Sequence, residues 1–110
     1  MIPTDDTTKR IQELNDQLRR TGKGGRVLFT RGVRDPGLLD QALAAVRTFD
    51  AFTPDNDPHE EHDFGSFTLD GRKLFWKIDL YDRSIDLDSE YPPGPEDLVR
   101  VLTIMLADEY

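Results

Sequence analysis

Glu61-His62-Asp63-Phe64-Gly65-Ser66-Phe67-Thr68-Leu69-Asp70-Gly71-Arg72-Lys73-Leu74-Phe75-Trp76-Lys77-Ile78-Asp79-Leu80-Tyr81-Asp82 contains the clearest turn signal in the chain and a dense run of aromatic and β-branched residues. Asp70-Gly71 supplies the two positive φ angles of a type I′ turn, so the stretch reads as a β-hairpin with a two-residue connection. That turn sets the register: Leu69 faces Arg72, Phe67 faces Leu74, Ser66 faces Phe75 and Gly65 faces Trp76. Leu74, Trp76, Ile78 and Leu80 then share a core face with Phe67 and Gly65, and the bare backbone of Gly65 leaves room for the indole. Phe75, Lys77, Asp79 and Tyr81 share the opposite face with Ser66, Phe64 and His62. Carried one step past the aromatic pairs, the register sets His62 against Asp79. With Lys77 and Tyr81 these two form a candidate polar cluster, because a carboxylate beside an imidazole fixes its tautomer and raises its basicity.

The flanking segments supply the rest of the fold. From Thr4 to Arg20 the spacing of Ile11, Leu14 and Leu18 predicts a helix with a narrow apolar stripe. Residues 1–24 are expected to dock loosely, with Arg19, Arg20 and Lys23 forming a basic end in solvent. Arg26 to Val33 reads as a short central strand. Arg31 and Arg34 at its exit are candidate anion contacts. Asp35-Pro36 then places an N-cap acceptor before a proline at the first helical position. Leu39, Ala42, Leu43, Val46 and Phe49 form the buried stripe of that second helix. Residues 51–63 make a polar loop rich in ligating atoms from Asp55, Asp57, His59, Glu61, His62 and Asp63. Their spacing matches neither a calcium loop nor a helical His-Glu-x-x-His motif, so no metal is expected.

Beyond the hairpin, Arg83 to Tyr91 alternates apolar and acidic residues, which predicts an edge strand with outward charges. Asp82, Asp86, Asp88 and Glu90 form a candidate acidic binding face. Pro92-Pro93-Gly94-Pro95 resets the chain, and the apolar run from Leu98 to Leu106 is expected to form a buried last helix. The expected architecture is one α+β domain over residues 1–110: a small, mainly antiparallel sheet of three to four strands with a central hairpin, and helices packed on one face.

Composition narrows the function. The 110 residues carry a net charge of −8, 14 Lys and Arg against 22 Asp and Glu, with no cysteine. The charge is asymmetric: residues 1–35 carry +3 and the remainder −11. An acidic body repels nucleic acid and attracts basic partners. No apolar run approaches the ~20 residues that span a bilayer. A secretory signal pattern and cysteines for disulfides are both missing, so a cytoplasmic location is expected. No nucleophilic cysteine, activated serine or phosphate-binding glycine loop stands out, so neither a catalytic residue nor a cofactor is assigned.

His62-Asp63-Phe64-Gly65, Phe75 to Asp82 and the ending Val101 to Tyr110 resemble the domain of unknown function 3768, and the Thr30-Arg31-Gly32-Val33 step fits as well. The resemblance implies a setting on bacterial plasmids and other mobile elements, without an activity to carry over. In that setting the expected function is a non-catalytic acidic binding protein. It would antagonise host defence of the anti-restriction or anti-CRISPR type by presenting carboxylates as a DNA mimic to a basic or nucleic-acid-binding protein. The alternative expectation is a small enzyme or metal-dependent binder centred on His62 and Asp79.

Overall fold

The computed structural model describes residues 4–82 and 98–110, less the side chains of 4–6, 36 and 82. A helix α1 (Thr4–Thr21) leads to strand β1 (Arg26–Phe29), a 3-10 turn (Arg31–Val33) and helix α2 (Pro36–Thr48). Strands β2 (Phe64–Leu69), β3 (Arg72–Asp82) and β4 (Leu98–Leu106) follow, and a second 3-10 turn (Ala107–Glu109) closes the described chain. The four strands form one sheet in the order β1-β4-β3-β2. β2 and β4 both pair antiparallel with β3, and β1 runs parallel to β4. This is the α+β architecture expected, with the sheet built onto the hairpin through β3, while β2 forms one edge.

The hairpin register follows from its turn. Asp70 and Gly71 have φ of +51° and +77°, which is the conformation that a type I′ connection demands. Gly65 pairs with Trp76 and Phe67 with Leu74. A Cβ on Gly65 would stand 2.4 Å from Trp76 Nε1 and 2.7 Å from Phe49 Cζ, so the indole occupies space that only glycine leaves free. Leu74, Trp76, Ile78, Leu102 and Ile104 line the buried face beneath the helices, joined by Leu18 of α1 and Ala42 and Val46 of α2. Asp35 caps α2 by accepting from Gly37 N at 3.1 Å.

Three expectations are corrected. Residues 98–106 form a strand rather than a helix. β4 lies between β1 and β3, and its run is apolar apart from Arg100 and Thr103, so it imitates a buried helix. The β-branched Val99, Val101, Thr103 and Ile104 favour the extended form. β1 lies at the edge of the sheet instead of its centre, and it ends at Phe29, with the chain tightening into a 3-10 turn at Arg31. Finally, Arg19 is buried, with 1% exposure, while Arg20 and Lys23 stay in solvent. The expected edge strand over Arg83–Tyr91 lies outside the described residues.

The fit of Trp76 against Gly65 predicts that Gly65→Ala loses about 1–3 kcal/mol of stability through overpacking, read from the denaturant midpoint followed by Trp76 fluorescence. An unchanged midpoint would show that the indole can retreat.

Candidate functional site

One turn of α1 places Asn15, Asp16 and Arg19 toward the rest of the molecule, and these three polar side chains tether the loop that precedes β2. Arg19 donates through Nη1 to Val46 O at 2.9 Å and Phe49 O at 2.6 Å, the free carbonyls at the end of α2. Its Nη2 donates to Asp16 Oδ1 at 2.9 Å. The guanidinium carbon lies 5.3 Å from the Phe52 ring centre and 5.4 Å from that of Trp76. Asp16 Oδ1 therefore meets a buried cation and also, together with Oδ2, receives His62, whose Nδ1 lies 3.0 and 3.1 Å from the two carboxylate oxygens.

His62 is held at its Nδ1, on one ring face and at its backbone N–H. Its ring stacks on Phe52 with centres 3.8 Å apart and planes inclined by 4°. Asp57 Oδ1 accepts from the backbone N–H of Glu61 at 3.1 Å and of His62 at 3.2 Å. Asp57 Oδ2 lies 3.7 Å from His62 Nε2. Glu60 and His62 both have positive φ, +57° and +54°, so the loop coils tightly before entering β2. Helix α1 holds that coil by donating from Gln12 Nε2 to Glu60 O at 2.8 Å and from Asn15 Nδ2 to Glu61 O at 3.0 Å. A pocket of about 360 Å³ opens beside His62, lined by Gln12, Phe52, Thr53, Asp57, Glu60 and neighbouring prolines.

Two carboxyls beside this coil sit above their ordinary range. Burial raises Glu61, with Asp63 and Asp57 adding to it against an opposing His59. Burial also raises Asp63; a backbone hydrogen bond opposes it, and Asp57 and Asp79 add to it.

The expected pairing of His62 with Asp79 does not form. Strand pairing starts at Phe64 opposite Lys77, and the last bond of the ladder runs from Ile78 N to Asp63 O at 2.8 Å. The positive φ of His62 breaks the alternation there and turns the ring to the helix side of the sheet. Asp79 stays on the open side, bound to Lys77 Nζ at 3.0 Å, and this hydrogen bond raises the lysine pKa. Tyr81 lies further along that face, 56% exposed. Phe64, Phe75 and Tyr110 cluster nearby with ring centres 5.3 to 6.5 Å apart.

The remaining candidates are dispersed. Arg31 and Arg34 are both exposed, and Arg34 Nε donates to Phe29 O at 3.2 Å. The Thr30-Arg31-Gly32 step holds a carboxylate from its own chain. Glu109 accepts from Thr30 Oγ1 at 2.6 Å, Gly32 N at 2.8 Å and Leu106 N at 3.1 Å. These bonds, led by that from Thr30, hold the Glu109 carboxyl below its usual range. Asp82 ends β3, while Asp86, Asp88 and Glu90 lie outside the described residues. Among the described residues, no group of three or more His, Cys, Asp or Glu is arranged to hold a metal ion. None of their helices is long and apolar enough to cross a membrane.

The geometry defines a small α+β scaffold with a polar pocket beside His62 at the junction of a helix and a loop. The chain belongs to the family of proteins of unknown function designated DUF3768, whose model matches residues 7–109. No curated protein and no solved structure matches it.

The raised carboxyls set the pH dependence. A carboxyl whose folded value exceeds its unfolded one supports folding while protonated, and that contribution is lost as pH rises through the raised value. Glu61→Gln combined with Asp63→Asn mimics the protonated forms at every pH. Urea titrations should show this variant gaining on the parent above about pH 5 and the advantage shrinking toward about pH 3. A parent that is relatively more stable at neutral pH would contradict the assignment.

Proposed function

We propose that the chain is a non-catalytic binding protein of a mobile element that acts in the cytoplasm on a basic or nucleic-acid-binding protein. In this reading it antagonises host defence of the anti-restriction or anti-CRISPR type by offering carboxylates in place of DNA phosphates. The observation that carries the reading is the site from which residues 83–97 spring. Asp82 and Leu98 are paired directly across β3 and β4, and the fifteen residues between them carry five acidic side chains against the single Arg83. A two-residue turn could close such a pair, so a long acidic connection there is not needed to complete the sheet. Asp86, Asp88 and Glu90 belong to that connection, and Asp82 stands at its root beside the exposed Tyr81. Concentrated negative charge steers a basic groove toward it and competes with the phosphate backbone.

The test is competition for DNA. Purified restriction and CRISPR effector complexes are loaded with labelled duplex and titrated with the protein while fluorescence anisotropy is read. The expected result is displacement of DNA from at least one effector, weakening from about 0.05 to 0.3 M salt. Changing Asp86→Asn, Asp88→Asn and Glu90→Gln together should weaken it by about tenfold or more. Displacement indifferent to salt and to these changes, or no displacement from any effector, would overturn the proposal.

A further inference from the structure

The pocket beside His62 presents an unusual pair of atoms. Nδ1 of His62 faces only the two oxygens of Asp16, at 3.0 and 3.1 Å, and a carboxylate can only accept. A neutral imidazole therefore keeps its proton on Nδ1 and turns the lone pair of Nε2 toward Asp57. Asp57 in turn uses Oδ1 for two backbone N–H groups. Its Oδ2 receives no hydrogen bond among the described residues, and the closest polar contact recorded for it is Nε2 at 3.7 Å. That is too long for a hydrogen bond. The Asp57 side chain is 5% exposed, so a carboxylate oxygen with most of its water removed lies beside an imidazole lone pair at the wall of an open pocket. Leaving such a group unmatched is costly, and a ligand that matches it recovers that cost.

Two acceptors side by side call for one group with two N–H donors and a positive charge. We propose that this pocket binds a primary ammonium or guanidinium group, bridged between His62 Nε2 and Asp57 Oδ2. The surroundings suit that cation. Glu60 lines the same pocket, and Phe52, Pro54 and Pro58 provide an apolar wall for the methylenes that carry it. The nearby cations do not occupy the bridging position. Arg19 lies behind Asp16, its Nη atoms engaged by Asp16 and two α2 carbonyls, and Lys9 lines an adjoining cleft. The donor set disfavours a metal ion, because among the described residues no three His, Cys, Asp or Glu are arranged to hold one, and a guanidinium or ammonium supplies its own geometry. The proposal is independent of the acidic connection at 83–97, so either can fail without the other.

The test uses the chain with His59→Gln, which leaves His62 as its single histidine. At about pH 8, long-range ¹H–¹⁵N spectra should show the proton on Nδ1. The Nε2 resonance should then move saturably with methylguanidinium or butylammonium, and not with sodium chloride at equal ionic strength. Asp57→Asn retains an Oδ1 acceptor for both backbone bonds and makes the other atom a donor to Nε2, closing the site. It should weaken the response by about tenfold or more. An arginine tripeptide that binds about tenfold tighter than methylguanidinium would identify the source as a side chain of a protein partner. Equal affinity would identify a free small amine. A proton on Nε2, no saturable shift, or equal binding by a folded Asp57→Asn chain overturns the proposal. If that variant loses its circular dichroism, the tautomer and saturation in the His59→Gln chain decide the matter.

Discussion

Removing a guanidinium from water costs several kcal/mol unless its donors find acceptors and its charge finds a counter-ion. Arg19, in the middle of the molecule, meets that requirement through both Nη atoms, while its Nε is buried without a partner among the described residues. Its side chain is fully buried, two of its donors satisfy carbonyls at the end of α2, and Asp16 supplies the opposing charge. The geometry of this cation fixes that of its neighbours. Asp16 is oriented by Arg19, His62 is oriented by Asp16, and the His62 ring lies on Phe52, which in turn packs by its edge against Trp76. Helix α1, the end of α2, the loop before β2 and the core of the hairpin thus meet through one chain of contacts.

That chain explains why the two faces of the sheet differ. Beneath the helices the packing is apolar and dense, with Trp76 seated against Gly65 and, among the described residues, Asn15, Arg19, Asp57 and Arg100 as the buried polar side chains. Arg100 reaches Asn15 Oδ1 at 3.0 Å, so this layer carries a second arginine held by α1. The opposite face carries Lys77 paired with Asp79 and a loose group of aromatic rings, with Tyr81 and Tyr110 exposed. A carboxylate and a histidine drawn from one strand alternation would have shared that open face. The positive φ at His62 instead moves the imidazole to the side where α1 waits.

Much of this arrangement was legible in the residues. Asp70-Gly71 sets the hairpin register because few dipeptides tolerate the backbone it needs, and the Asp35-Pro36 cap and apolar stripe mark α2. The strand β4 was not legible: Leu98 to Leu106 is apolar apart from Arg100 and Thr103, and a run of that length fits a buried helix or a central strand equally well. His62 stood out as a site residue, but its partners did not, since the break in alternation depends on how the loop coils against α1. Asn15 and Arg19, polar residues four apart and flanking the buried Leu18, were the signal that α1 buries more than its apolar stripe.

The central claim is that Asp16 links the buried arginine to His62 as one energetic unit. A double-mutant cycle with Asp16→Ala and His62→Ala, read by urea unfolding at about pH 6.5, tests it most directly. The account predicts a coupling of about 1 kcal/mol or more between the two sites. Additivity within about 0.3 kcal/mol would contradict it, showing that the imidazole is held by Phe52 and the loop alone.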